Sequence, residues 1–375
     1  MIRAVANVIR GEGIASSVRR ASERAYEALH PFASATGAEI LNVAPGGIAA
    51  RSGGIAVQLR ARLRAERTMR EVALSRDVRG ARAIHLEGTS GIALDEVLRW
   101  IDSGVRVVVS VHDFSLFCAR PHLIELPMER FCFYSRDLDR CERCLRQTWD
   151  VTRDAQLARR TQARRILESA TGVIFASRFL LEQHRELFAP RAMNAAVVEP
   201  ALDGEVVQTS GRGVAFAGSV QVHKGAHLLP DIARGRELHV FGGGDVTLLR
   251  ALRRHPNLVI HGYYRAGTLP SLLARHDIGL VVLPSIWPEA FCLAMSEAWL
   301  AGASVAAFDL GAPAQRIREH GGGFLAPLDS GADGLAEIVE RWREAPSALA
   351  PRVMRTPMDA AREHLALYRA WGLLS

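Results

Sequence analysis

Lys224 is the only lysine among the 47 lysines and arginines of this 375-residue chain. Where arginine stands at every other basic position, a retained ammonium points to a task that needs a compact charge on a flexible stem. It closes the run Gly218-Ser219-Val-Gln-Val-His-Lys224-Gly225, after an apolar stretch and ahead of a helical pattern. A point charge beside a helix start suits a phosphate, because the free N–H groups there favour anions too. Glu289 and Glu297 flank Phe291, Cys292 and Leu293, with Pro288 suited to the last turn before a helix that reads from Phe291 onward. Eight residues of helix rise about 12 Å, comparable to a sugar–diphosphate–ribose unit. On that spacing Glu289 meets a transferred sugar and Glu297 a ribose, while the diphosphate sits on the amides of 291–293 and on Lys224. Each residue also has a plainer reading. A glutamate near a helix start serves the dipole, and His112 at a strand end serves a core as readily as a site. An unpaired carboxylate inside the apolar helix of Glu297 is harder to explain without a ligand.

These groups need strand ends to hold them. Apolar runs at 2–9, 37–43, 82–87, 105–111, 172–176 and 195–199 alternate with helical patterns, and the alternation resumes at 213–218, 237–242, 257–261, 278–283 and 303–308. That is the pattern of an α/β protein with parallel sheets covered on both faces. Two doubly wound units follow, 1–200 and 201–356, joined near 200–204, with a helical tail at 357–375 expected to pack back on the first unit. Ligands of such sheets bind at the carboxyl ends of the strands, which makes the cleft between the units the expected site.

The motifs resemble those of the retaining glycosyltransferases of family 4. The resemblance rests on Glu-x7-Glu at 289 and 297, Gly-Ser-x4-Lys-Gly at 218–225, His112-Asp-Phe114, Ser-Arg-Phe at 177–179, Phe-Gly-Gly-Gly at 241–244 and Asp309-x-Gly311. It implies a GT-B fold, with two Rossmann-like domains and the nucleotide-sugar site mainly in the second. It also implies donor glutamates at Glu289 and Glu297, a phosphate lysine at Lys224, and a donor-sugar histidine at His112. A first glycine-rich loop falls at Gly11 and Gly13. The chain departs from the family at Ser219, where arginine is common, and at Cys292, where glycine is usual. The implied reaction transfers a hexose from a nucleotide diphosphate sugar, the co-substrate, to an acceptor hydroxyl with retention, and requires no metal or other cofactor. A catalytically inactive scaffold of the same fold and a nucleotide-sugar epimerase are the alternatives.

The charge sets the expected partners. Residues 1–200 carry 30 arginines against 23 acids, while the remainder is balanced. The excess gathers at 59–82 and at Arg153, Arg159, Arg160, Arg164 and Arg165. Such segments suit an anionic membrane surface and a polyprenyl-diphosphate-linked or sugar acceptor in surface polysaccharide assembly; a solvated basic face is the plainer reading. Nucleic acid fits poorly, because no aromatic platform accompanies the charge. No run of about 18 apolar residues and no signal-peptide pattern occurs, so a cytoplasmic protein, peripheral at the inner membrane, is expected. Four of the five cysteines, Cys118, Cys132, Cys141 and Cys144, fall in an insert at about 114–150. They suit a structural zinc, although their gaps are irregular for a zinc ribbon.

Overall fold

The computed structural model describes residues 3–5, 83–89, 93–202, 206–209, 211–265, 267–347 and 355–373. The expected strand at 37–43, the basic run 59–82 up to Arg82, and Gly11 and Gly13 lie outside these residues.

Two parallel sheets organise the chain. The first has the order β1-β2-β3-β6-β7, formed by Arg3–Val5, Ala83–Glu87, Arg106–Val111, Gly172–Phe175 and Ala195–Val197. Between β3 and β6 the insert forms a small antiparallel pair, β4 (Ile124–Glu125) and β5 (Arg130–Phe131), and the helix Leu138–Leu145. The second sheet has the order β10-β9-β8-β11-β12-β13. Its strands are β8 (Gly213–Ala217), β9 (Leu238–Phe241), β10 (Leu258–Gly262), β11 (Ile278–Leu283), β12 (Ser304–Phe308) and β13 (Gly323–Ala326). Every residue of β11 and β12 is buried, as expected of strands with helices on both faces. β13 was not foreseen: four residues that begin on the last of three consecutive glycines carry too short an apolar signal to read alone.

The strand order explains where the loops go. In the second sheet β8 lies between β9 and β11, so the connections after β8 and after β11 leave toward opposite sides. The crevice at this reversal is the place where doubly wound sheets bind ligands. The loop after β8 carries Gly218, Ser219 and Lys224; the loop after β11 carries Glu289. Gly225 lets the two loops meet. Its φ is +68°, and a Cβ there would stand 1.8 Å from the carbonyl oxygen of Pro284.

The tail helix, Pro357–Ala370, lies against the first sheet. Ala360 joins Val108, Ile174, Val198 and Ala201 in one apolar cluster. The Tyr368 hydroxyl and His85 Nδ1 are 2.6 Å apart, and His85 Nε2 in turn meets Ser110 Oγ at 2.8 Å. Across the cleft, Trp287 and Ala290 of the second half sit in the core that Phe114, Phe117 and Leu123 build in the first. The lobes therefore share packing at the mouth of the site.

Candidate active site between the two sheets

Lys224 and Glu289 meet directly. The ammonium donates to Glu289 Oε2 at 2.5 Å, with the two side chains 11 % and 3 % exposed. Glu289 Oε1 accepts from the Ser285 hydroxyl. Ser285, at the carboxyl end of β11, and Lys224, in the turn after β8, thus hold one carboxylate from two sides. The loops are also tied by their backbones, since the Ile286 amide donates to the His223 carbonyl at 3.0 Å. An ammonium has three N–H donors, and Glu289 occupies one. A carboxylate offers about four lone-pair positions, and Lys224 and Ser285 occupy two. The pair keeps capacity for both an anion and hydroxyl groups.

Glu297 is placed differently. It is the fifth residue of the helix Leu293–Leu300, and its Oε1 accepts the Gly267 amide at 2.7 Å. The helix expected from Phe291 begins at Leu293 instead. Cys292 adopts φ +72° and ψ 86°, a left-handed conformation that breaks helical geometry immediately before the first turn. The 12 Å of continuous helix between the two glutamates is therefore replaced by a bent loop and one turn. Cys292 also departs from its expected position against the donor. Its thiol packs in the core with Ala217, Leu283 and Met295, and burial pushes it up to about 12. Only its backbone remains available to a ligand. Leu293, the first helical residue, packs with Phe291 and Leu202.

The loop is braced from below by Arg316, which sequence reading missed. Its guanidinium donates to the carbonyls of Phe291 at 3.1 Å and Cys292 at 3.4 Å, and to Ser296 Oγ at 2.7 Å. It also stacks on the Phe291 ring at 4.0 Å. Burial lowers its pKa to about 10, so it stays charged at neutral pH. A buried cation that holds these carbonyls fixes the peptide planes ahead of the helix, whose first-turn amides have no partner inside the helix. Nothing in the sequence distinguishes this arginine from the other arginines.

Aromatic side chains close the mouth. His122 of the insert stacks on His223 with centroids 4.3 Å apart, and both meet Trp287 edge-on at 5.6 and 5.9 Å. The Lys224 ammonium stands 5.7 Å from the Trp287 ring centroid. Ser219 Oγ, His223 Nε2 and Trp287 Nε1 are buried and find no hydrogen-bond partner among the described residues. Buried polar atoms are nearly always paired, so these atoms of the Lys224 loop and of Trp287 suit a polar ligand. Gly218 donates its amide to Phe241 at 3.0 Å and so anchors the start of this loop. His112 follows β3 at its carboxyl end and is half-buried. His223 was legible in principle, as the neighbour of Lys224, and Ser285 by its four-residue spacing from Glu289.

Burial holds His122 down to about 4 and His223 down to about 2, with repulsion from Lys224 acting in the same direction. Both rings are neutral when folded, whereas an exposed histidine titrates near 6.5. The folded values lie below the unfolded one. Stability from this stack is therefore whole above about pH 6.5 and declines as the pH falls from there toward 4. His122→Phe, which keeps a ring but removes a titrating group, should flatten that acid-side loss. Melting temperatures measured from pH 7 to 4 check it, and an unchanged slope would count against the stack.

In the arginine-rich helix Arg153–Ser169, read from the sequence as a membrane face, most arginines have partners within the chain. Arg159 donates to the Ser115 carbonyl at 2.9 Å, and Arg160 to those of Phe117 and Ser135 at 3.2 and 3.0 Å. Arg153, Arg164 and Arg165 pair with Asp139, Glu168 and Asp102. These arginines bind their own chain. Among the described residues no helix is long and apolar enough to cross a membrane.

Cys118, Cys132, Cys141 and Cys144 line one cavity of about 20 Å³ and are free thiols. Amides of Arg120 and Leu126 donate to Cys118 and Cys144 at 3.4 and 3.3 Å. Among the described residues only one group of three or more potential ligands has its atoms all within 4.8 Å of one another, and it contains no cysteine. Thiolates on one zinc stand about 3.8 Å apart, by the usual Zn–S length. The four cysteines line one cavity, but no three of their sulfurs come within 4.8 Å of one another.

Residues 211–344 match the family model for glycosyl transferases group 1. The match covers the second sheet, both of its site loops and Arg316. No curated protein matches the whole chain. Among solved structures, sucrose-phosphate synthase from Thermosynechococcus elongatus is similar, with a TM-score of 0.61 at 14% identity over 100% of this chain and 97% of that one. HepE from Anabaena, solved with UDP-glucose, gives 0.58 at 16% identity over 100% and 99%. AviGT4, a glycosyltransferase of avilamycin A biosynthesis, gives 0.51 at 14% over 99% and 98%. The chain has the GT-B fold of these glycosyltransferases.

Proposed function

We propose that the protein is a retaining glycosyltransferase that moves a hexose from a nucleotide diphosphate sugar to an acceptor hydroxyl, without a metal ion. The observation that carries this reading is the buried Lys224–Glu289 pair at the topological reversal of the second sheet, beside the first turn of the helix Leu293–Leu300. Two remaining N–H donors of Lys224 would face the diphosphate, and the helix amides would take its other oxygens. Glu289 would accept hydroxyls of the sugar. As the bond from the anomeric carbon to the diphosphate breaks, its electron pair passes to the phosphate oxygen, where Lys224 stabilises the charge. That oxygen then takes the proton of the acceptor hydroxyl, which attacks from the same face. His112, at the end of β3, would reach the sugar from the first lobe, and Glu297 the ribose. The match over residues 211–344 and the GT-B neighbours, one of which was solved with UDP-glucose, support this reading.

The test is incubation with a panel of nucleotide sugars, following nucleoside diphosphate release and the anomeric configuration of the product by NMR. Retained configuration is expected. An inverted product would reject the front-face mechanism, and no turnover with any donor that binds would favour an inactive scaffold. A polyprenyl-linked acceptor at an anionic membrane, in surface polysaccharide assembly, now rests on the basic run 59–82. Flotation with anionic vesicles that shows no salt-sensitive binding would remove it.

A further inference from the structure

β9 and β10 are neighbours at the edge of the second sheet, and each presents a histidine on the same face. His239 is the second residue of β9. His261 lies in β10 where the register shifts between Ile260 and Gly262. His276 closes the helix Leu269–Arg275 and reaches the same spot. His239 Nδ1 and His261 Nε2 are 2.9 Å apart. The ring centroids of His261 and His276 are 4.4 Å apart, and those of His239 and His276 5.4 Å. All three residues offer a nitrogen within 4.8 Å of the other two.

We propose that His239, His261 and His276 bind a divalent ion of the zinc class, with Glu237 orienting His239. Three features carry this. A single hydrogen bond between His239 and His261 accounts for two of the rings but not for the convergence of a third. Nitrogens on one tetrahedral zinc stand about 3.4 Å apart, from Zn–N lengths near 2.1 Å; the present spacing, from 2.9 Å to within 4.8 Å, brackets that value. The far nitrogen of His239, Nε2, meets Glu237 Oε1 at 3.0 Å, the carboxylate–histidine arrangement that fixes the tautomer of a metal-binding imidazole. The Phe241 ring stacks on His261 at 4.3 Å and steadies it. An all-imidazole set selects zinc, nickel, cobalt or copper over magnesium or calcium. His261 is exposed, so the fourth position faces water.

The ion would be structural. It ties β9, β10 and one helix together at the point where β10 enters the loop that carries Gly267 to Glu297. It shares no residue with the Lys224–Glu289 pair and does not depend on the proposed transfer reaction.

The test uses the full-length protein stripped with a chelator and titrated with cobalt(II), then with zinc(II). The expected result is one equivalent of cobalt with visible d–d bands and no near-ultraviolet thiolate charge transfer, displaced by zinc. His261→Ala and His276→Ala, on separate elements, should each weaken zinc binding at least about 10-fold, and Glu237→Gln about 10-fold, the range for loss of a supporting carboxylate. Metal-free unfolding of each variant, compared with wild type, verifies its fold. Absence of binding overturns the proposal. So does a thiolate-dominated spectrum unchanged in His261→Ala, which would assign the ion to the cysteine cavity.

Discussion

Lys224→Ala should lower the turnover of glycosyl transfer by about 10²-fold or more, while the protein still binds the nucleotide portion of the donor. The helix amides remain to hold the diphosphate in the ground state, but the charge that grows on the leaving oxygen loses its compact counter-ion. Removing one well-placed donor to a developing oxyanion has that magnitude elsewhere. Lys224→Arg should recover little, because the longer planar fork does not place its charge where the compact ammonium sits, 2.5 Å from Glu289 Oε2 and 5.7 Å from the Trp287 centroid. Steady-state rates at saturating donor measure it. Activity of Lys224→Ala within a factor of three of wild type would remove the residue from the mechanism.

Glu289→Ala should cost stability as well as activity. With both side chains almost fully shielded from water, removing the carboxylate strands a buried ammonium, and breaking one side of such a pair costs about 3–5 kcal/mol. The double variant Lys224→Met/Glu289→Leu removes both charges at once. It should recover most of that loss while remaining inactive, since apolar replacements of similar volume are often neutral. Denaturant unfolding of wild type, Glu289→Ala and the double variant decides the matter. If Glu289→Ala alone is as stable as wild type, the ammonium is better hydrated than the structure places it.

The alternation of apolar runs made both sheets legible, and the strands at 278–283 and 303–308 emerge almost residue for residue because both are buried on two faces. Lys224 was legible for a compositional reason, and Glu289 by its place before a helix. What was hidden has a common physical cause. The left-handed bend at Cys292 is a backbone choice that no side-chain pattern announces, and it displaced the helix start by two residues. Arg316 acts through a loop far from it in sequence. His122 and His223 come from different lobes, and only the folded chain brings their rings together. The cysteines show the opposite case: they gather at one cavity as their proximity along the chain suggested, yet no three sulfurs come within 4.8 Å of one another.

The solitary ammonium at 224 also makes the molecule its own reporter. Apart from the α-amino group, it is the single primary amine that an acylating reagent can find. Because it lies shielded between Glu289 and Trp287, the speed at which such a reagent modifies it is a clock for how often the loops after β8 and β11 open around it.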